Sequence, residues 1–320
     1  MVGAVAEVRF IHVDAEDAGQ RLDNFLLKHL RKVPRPLIYR IVRKGEVRVN
    51  KGRAQVSQRL KAGDVVRIPP VKLPDSPERV TPPASQVPRI EQAILFEDDD
   101  LIVINKPSGM AVHGGSGVSW GLIELVRNAR PLAKRVELVH RLDRDTSGAI
   151  ILAKKMSVLR DLHQQIREHQ VTKLYWTLVK GRWPKALMKV EHPLRKFTLP
   201  SGERRVEVHP AGKPSLSFVR LLVDLGQASL IEVKLATGRT HQIRVHCAAN
   251  GHPIAGDDKY GDAEFDQWQA RQGMHSLALH ARMVAFKHPK TGEQVKIFAP
   301  LYPDFDKLLR HHQLSQKEIS

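Results

Sequence analysis

The sequence predicts an α+β protein of two domains: a small basic α+β domain, then a larger one built on a mixed, mainly antiparallel sheet with flanking helices. Three observations lead to this prediction. Short apolar runs joined by tight turns outnumber helical patterns. Seven prolines fall between Pro69 and Pro88, and such a segment is typical of an extended linker. Basic residues are concentrated before that linker. We therefore expect domains at 1–68 (core about 20–68) and 90–320, with a linker at 69–89.

The charge of the chain indicates a polyanionic partner. The 320 residues carry a formal net charge of +18, and the segment from Lys28 to Arg67 holds 13 Lys or Arg against only Glu46 and Asp64. A field of one sign attracts nucleic acid first. An anionic membrane is a weaker candidate, because no amphipathic helix with bulky apolar anchors accompanies the charge. The sequence shows no pattern typical of a membrane span or a secretion signal, so we expect a cytoplasmic protein.

The single cysteine limits the chemistry of the chain. Cys247 is the only one, which excludes an internal disulfide, a cysteine-based zinc site and an iron–sulfur cluster. Its apolar context favours a small buried side chain over a nucleophile.

The first domain has clear element boundaries. A leading strand is expected over 8–13, and apolar spacing predicts a helix over 21–30. A second helix begins near Pro36 and ends at Gly45, and two strands, 47–49 and 64–68, follow, the first leading into the turn at 50–52. Basic residues lie off the core stripe of the second helix and are expected to contact a partner: Arg35, Arg40, Arg43 and Lys44.

The second domain alternates strands, turns and short helices. Its loop at 105–115 is rich in glycine but lacks the spacing of a phosphate-binding or dinucleotide-binding loop. We expect a hairpin at 94–104, helices near 121–130 and 157–170, strands at 171–179, 217–223 and 229–236, a short helix between 240 and 250, a hairpin at 277–298 and a final helix at 304–312.

Charged residues cluster where a buried strand begins. Asp143 and Asp145 stand with Arg141 and Arg144 just before the apolar run 149–153. Ions at such a position serve either chemistry or an ion pair that braces the strand end. The residues alone leave these two interpretations evenly balanced.

The residues 21–23, 38–40, 44–50 and 62–66 resemble an S4 domain, a small α+β module of RNA-binding proteins. Four further motifs follow in the second domain: Asn105-Lys106-Pro107-Ser108-Gly109, His140 to Gly148, Lys173-Leu174-Tyr175, and Thr237 to His246. In this order along the chain, these four motifs resemble those of the RluA family of pseudouridine synthases.

The resemblance implies an enzyme that isomerises uridine in RNA without a cofactor. It implies that Asp143 is the catalytic carboxylate, as nucleophile or as base, that Tyr175 lies against the uracil and that Arg244 pairs with Asp143. Arg141 is expected to fill the base stack when the uridine is flipped out. Further expected RNA contacts are Lys106, His113, Arg239 and His241.

The expected partner is large-subunit ribosomal RNA or a pre-ribosomal particle, and nothing in the sequence demands a dimer, so a monomer is expected. One departure from the family pattern is Thr177, where a small alanine is usual; we expect it to shape the pocket.

Other functions fit these residues less well. The main alternative is a non-catalytic RNA-binding or ribosome-assembly factor. A phosphotransfer site is disfavoured by the polar residues before Asp143, and a glycosidase by two carboxylates in one tight turn. Zinc at His241 and His246, or at His275 and His280, lacks an acidic third ligand, so no metal is expected. His140 and His280 are expected to be hydrogen-bonded structural residues.

Overall fold

The chain divides into two compact units in a computed structural model. The structure describes residues 7–30, 33–71, 85, 87–114, 120–133, 135–312 and 314. Unit 1 spans Met1–Val80 and unit 2 spans Thr81–Ser320. Most of the predicted linker, together with Gly115 at the end of the predicted loop, lies outside the described residues.

Unit 1 is a four-stranded antiparallel sheet, in the order β1-β4-β2-β3, with two helices. Its described elements are β1 Arg9–His12, α1 Leu22–His29, α2 Arg35–Arg43, β2 Arg48–Val49, β3 Gly52–Arg53 and β4 Val65–Ile68.

Local sequence determines these elements as predicted. The apolar stripe of α2 is buried in the core of unit 1, so the basic side chains of the helix face solvent. Helix α2 ends before Gly45, which has a φ of 73°. Asn50 and Lys51 both adopt positive φ angles of 51° and 68°, the geometry of a tight hairpin turn between β2 and β3.

Unit 2 is built on a ten-stranded sheet. Its described elements are α3 Val87–Gln92, β5 Ile94–Glu97, β6 Leu101–Lys106, α4 Leu122–Ala129, β7 Glu137–Leu138, β8 Ser147–Ala153, α5 Met156–Arg167, β9 Thr172–Lys180, β10 Lys189–Glu191, β11 Leu194–Thr198, β12 Arg204–Val208, β13 Leu216–Asp224, β14 Ala228–Leu235, α6 Gln242–Ala249, α7 Ala263–Arg271, β15 Leu279–Lys287, β16 Gln294–Phe298 and α8 Pro303–His311.

The large sheet is mixed, as predicted. Its main path runs β10-β13-β14-β9-β15-β8-β6-β5, with β16 paired to β15 and β7 to β8. Among these described pairings only β8 with β15 is parallel. Strand β8 is buried along its whole length, as expected for a central strand whose two faces are both covered. Apolar clusters therefore lie on both faces of the sheet.

Some elements differ from the prediction. Helix α3 begins at Val87, inside the predicted linker, because Pro88 lies in the first turn, where a missing N–H costs nothing. The hairpin of β11 and β12 and the helix α7 were not predicted. Strands β11 and β12 form a separate two-stranded sheet outside the main one, and most of their side chains are not buried, so the sequence shows no extended core pattern there. Among the described residues, no helix combines the length and apolar character needed to span a membrane.

Candidate active site

An open cavity of about 1220 Å³ in unit 2 contains most of the predicted site residues. It exceeds the ~300–1000 Å³ of typical small-molecule pockets, which suits part of a polymer better than a free metabolite. The predicted residues that line it are His113, Arg141, Asp143, Tyr175, Arg239, His241 and Arg244.

The sheet topology explains why distant motifs meet at this cavity. Strand β15 lies between β8 and β9, and His280 is opposite both Ser147 and Trp176. Strand β14 lies on the other side of β9, with Val233 opposite Tyr175. The loop before β8, the start of β9 and the loop between β14 and α6 therefore converge at one place.

The Asp143 carboxylate faces this cavity next to two basic groups. Its Oδ2 lies 3.8 Å from Nη1 of Arg244 and 4.0 Å from Nε2 of His241. The Asp143 side chain is 30% exposed, whereas the preceding Leu142 is buried in the core. Asp143 is thus anchored from one side and open to a ligand on the other.

A second loop fixes the backbone around Asp143. Lys106 donates from Nζ to the carbonyls of Pro107, Met110 and Arg144 at 2.8–2.9 Å, and Ser108 donates to the Asp145 carbonyl at 2.7 Å. Burial lowers the pKa of Lys106 to about 7. Because Lys106 is fully buried, the prediction that it contacts RNA is wrong; its ammonium instead ties two loops together.

Arg244 is held mainly by two residues that were not predicted as part of the site. It donates from Nε to Oδ2 of Asp257 at 2.7 Å and from Nη2 to Oδ1 of Asp257 at 2.5 Å, and a further bond of 2.9 Å reaches Asp258. Burial alone would lower the pKa of Arg244, but the hydrogen bonds with Asp257 and the nearby carboxylates raise it. Asp143 therefore receives a fixed positive charge whose orientation is set by Asp257.

A local signal for Asp257 is present in the sequence. Gly256 has a φ of 73°, and a Cβ at Gly261 would lie 2.2 Å from the Asp257 carbonyl oxygen. Two glycines around an Asp-Asp pair indicate a tight loop that presents acids. The partner of those acids becomes apparent only in the fold.

Tyr175 lines the cavity as a buried phenol. Burial, with a smaller contribution from the Asp143 carboxylate, raises the pKa of Tyr175 above its ordinary value, so the group is protonated at neutral pH. Thr177, two residues on, is fully buried and donates to the Ala278 carbonyl at 2.7 Å. The structure therefore corrects the expectation that Thr177 shapes the pocket.

His241 directly precedes α6 in an unusual backbone conformation. Its φ is 52°, a left-handed value uncommon outside glycine. Nδ1 lies 2.8 Å from the Tyr260 hydroxyl, and burial lowers the pKa of His241. The following Gln242 is buried and bonds to Thr237, Arg239 and Ser217, which fixes the loop that leads into α6.

The two histidines expected to be structural have that role. His140 accepts the Ile151 N–H at 3.2 Å, and His280 lies 2.9 Å from the Ser147 hydroxyl. Burial lowers the pKa of His140 to about 3 and that of His280 to about 4. Both rings are neutral at physiological pH and help to hold β8 in place.

The remaining predicted RNA contacts differ in exposure and location. Arg141 and Arg239 are exposed at the cavity. Four exposed basic side chains lie on α2 or directly after it in unit 1: Arg35, Arg40, Arg43 and Lys44. Lys173, which the sequence placed beside Tyr175, also lines the cavity, and burial lowers its pKa.

Similarity to known proteins agrees with this fold and site. A family model described as RNA pseudouridylate synthase matches residues 100–249, and an S4 domain model matches residues 20–66. The solved structure of human RNA pseudouridylate synthase domain containing 4 superposes with a TM-score of 0.59 at 25% identity, covering 72% of this chain and 97% of that one. The chain belongs to the RNA pseudouridine synthase family and is therefore an isomerase.

Its relatives include curated enzymes with nearly the same length. Ribosomal large subunit pseudouridine synthase C of Pasteurella multocida is 51% identical over 303 residues, 94% of this chain and 93% of that protein. The protein of the same name from Escherichia coli K12 is 51% identical over 297 residues, 92% of this chain and 93% of that protein. The resemblance inferred from the motifs is confirmed.

Proposed function

We propose that this chain converts specific uridines of large-subunit ribosomal RNA into pseudouridine, with Asp143 as the catalytic carboxylate. The observation that carries the proposal is the position of Asp143: its carboxylate faces an open cavity and lies within 4.0 Å of Arg244 and His241. The names of the relatives support the substrate.

The reaction needs one well-placed carboxylate and no cofactor. The N1–C1′ bond of uridine breaks, the base turns, a C5–C1′ bond forms, and the C5 proton leaves while N1 takes up a proton. Asp143 serves either as the nucleophile at C1′ or as a base. Arg244 stabilises the negative charge of the carboxylate and orients it.

Tyr175 and Arg141 have supporting roles in this proposal. The buried Tyr175 keeps its phenol proton at neutral pH. Until the C5 proton is lost, its main contribution is therefore a flat surface on which the uracil stacks. Chemistry on a base requires that the base leave its stack. The exposed Arg141 at the cavity rim is suited to fill the resulting gap.

The basic surface of unit 1 is proposed to dock the RNA. We assign the S4-type module to residues 1–68, the linker to 69–89 and the catalytic domain to 90–320.

The partner is large-subunit rRNA or its precursor particle, on which the chain acts as a monomer in the cytoplasm. His113 and Arg239 contact RNA near the cavity, and the module contributes phosphate contacts.

The test is an Asp143→Asn variant assayed on rRNA labelled with tritium at uridine C5, since pseudouridine formation releases that hydrogen. We expect release to fall by about 10³-fold or more, as for loss of a nucleophile or general base. Asp145→Asn is the matched control, because Asp145 is a carboxylate of the same turn that pairs with the exposed Arg144; it should keep activity within about tenfold. Retained activity in Asp143→Asn contradicts the residue assignment.

The same assay separates the enzyme from the alternative, a non-catalytic assembly factor. Such a factor binds rRNA without releasing tritium. Wild-type protein that binds rRNA and its assembly intermediates with no product would overturn the proposed activity.

A further inference from the structure

The Tyr260 hydroxyl connects the unpredicted hairpin of β11 and β12 to the candidate active site. On one side the N–H of Val206 in β12 donates to the Tyr260 oxygen at 2.9 Å. On the other side that oxygen lies 2.8 Å from Nδ1 of His241. The opposite ring nitrogen of His241, Nε2, lies 4.0 Å from the Asp143 carboxylate.

These contacts favour one tautomer of His241. A backbone N–H can only donate, so the Tyr260 oxygen is the acceptor towards Val206, and its own proton is available for Nδ1. A neutral imidazole carries one proton, and an unprotonated Nε2 would direct a lone pair towards the Asp143 carboxylate. Burial favours the neutral ring. Both neighbours therefore favour a proton on Nε2.

We propose that Tyr260 is a positioning residue that holds His241 as the Nε2–H tautomer, with this proton facing Asp143. The proposal rests on the proposed function, in which Asp143 is catalytic. A donor at this place stabilises the carboxylate and supplements the charge of Arg244. The left-handed backbone of His241 is a local strain that this hydrogen bond helps to maintain.

The loop that carries Tyr260 also fixes the hairpin. Arg205 donates to the Lys259 carbonyl at 2.9 Å, and Lys259 forms an ion pair with Glu203. Tyr260 packs on a small apolar cluster formed by Leu194, Val206 and Val245. Since Val245 belongs to α6, the hairpin packs against the helix that carries Arg244.

The first experiment measures the tautomer directly in the full-length protein. Two-bond ¹H–¹⁵N correlations of ¹⁵N-histidine-labelled protein distinguish the Nε2–H form from the Nδ1–H form, and the signals of His241 are assigned by their loss in His241→Gln. We expect the Nε2–H form in the wild type. A wild-type His241 protonated on Nδ1 overturns the proposal, and this result does not depend on any variant or on activity.

The second experiment uses Tyr260→Phe, with Tyr302→Phe as the matched control. Tyr302 is another half-buried tyrosine of unit 2 that donates one hydrogen bond, to the Asn105 carbonyl. In Tyr260→Phe we expect a population of the Nδ1–H form and a kcat about tenfold lower, the effect of losing one hydrogen bond, with KM changed by less than about twofold. Tyr302→Phe should leave the tautomer and kcat unchanged.

A double-mutant comparison shows whether Tyr260 acts through His241. Adding Tyr260→Phe to His241→Gln should cause no further loss of kcat. An additional tenfold loss, or a rise of KM at unchanged kcat in Tyr260→Phe, overturns the proposal. Activity that survives Asp143→Asn refutes the proposed function instead, while the tautomer measurement still decides the role of Tyr260.

Discussion

The guanidinium of Arg244 is shared by three carboxylates of very different exposure. The side chain of Asp257 is fully buried, that of Asp143 is 30% exposed and that of Asp258 is 57% exposed. A buried charge without its partner is costly, whereas an exposed pair contributes little. The buried carboxylate of Asp257 therefore orients Arg244, and the carboxylate of Asp143 remains accessible from the cavity.

Replacing Asp257 should destabilise unit 2 strongly. We expect Asp257→Asn to lower the free energy of unfolding by about 3 kcal/mol, because Arg244 then keeps its charge in a buried place without its main partner. Urea unfolding followed by tryptophan fluorescence measures this, since all four tryptophans lie in unit 2. Asp258→Asn, which removes the exposed partner of the same guanidinium, should cost less than about 1 kcal/mol. Equal losses in the two variants would contradict this account.

Lys106 should make the stability of unit 2 depend on pH. Its pKa is about 7 in the folded state and about 10.4 in an unfolded chain. Between these values the unfolded state binds more protons, so the stability rises as the pH increases from 7 towards 10. We expect this contribution to be about 2 kcal/mol between pH 7 and pH 9.

The measurement for Lys106 is a difference between proteins. The unfolding free energies of the wild type and of Lys106→Met are compared by urea unfolding at pH 7, 8 and 9. The difference between them should change in favour of the wild type as the pH rises, since methionine does not titrate. A difference that is constant over this range would show that the ammonium keeps its proton.

At the scale of elements, the first residues of β8 position the preceding loop, which carries Asp143. Gly148 has a φ of 107°, and a Cβ there would lie 2.4 Å from the Ala281 carbonyl oxygen of β15. The parallel contact between β8 and β15 involves Ser147 and Gly148. A close approach of two backbones therefore fixes the strand that directly follows the loop with Asp143.

Gly148→Ala should disturb both stability and catalysis. We expect the free energy of unfolding to fall by more than about 3 kcal/mol. The added methyl group clashes with backbone atoms that cannot move independently, and the φ angle is unfavourable for alanine. Gly226→Ala is the control: Gly226 also has a positive φ, 78°, but no atom lies within 4 Å of the position of its Cβ, so about 1 kcal/mol is expected. Thermal unfolding of the two variants measures their losses of stability. Similar losses would mean that the conformation, not the contact with β15, matters at Gly148.

At the scale of the whole molecule, the two units differ in the charge of the surfaces proposed to contact RNA. Unit 1 carries a dense positive field from Lys28 to Arg67, whereas the cavity of unit 2 combines cations with the carboxylate of Asp143. Long-range attraction to phosphate depends on ionic strength, but contacts inside a partly buried site are screened much less.

Removing the basic residues of unit 1 should reduce the salt dependence of RNA binding. The variant replaces Arg35, Arg40, Arg43 and Lys44 together by alanine. We expect the slope of log K against log salt to decrease in magnitude by up to about 3, which corresponds to the lost phosphate contacts. Filter binding to rRNA fragments at several salt concentrations measures the slope.

The control for this variant keeps every charge. It exchanges the three arginines for lysine and Lys44 for arginine, and its slope should match that of the wild type. An unchanged slope in the alanine variant would show that this surface of unit 1 does not dock the RNA.

Most elements of the fold and the reaction class could be predicted from the sequence alone. Caps, turns and alternating apolar residues predicted α2, β9 and the hairpin of β15 and β16, because such signals act over a few neighbouring residues. The four motifs placed Asp143, Tyr175 and Arg244 in one site, since their spacing is specific even though they lie far apart along the chain. The hairpin of β11 and β12 was not predictable in this way, as it pairs outside the main sheet.

The partners that hold the site residues become apparent only in the folded structure. Lys106 reads as a surface cation in the sequence, yet the fold buries it against three carbonyls. Asp257 and Tyr260 reach Arg244 and His241 because the loop after α6 folds back on that helix. The physical reason is that burial and side-chain pairing depend on which elements pack together, and local sequence does not specify that packing.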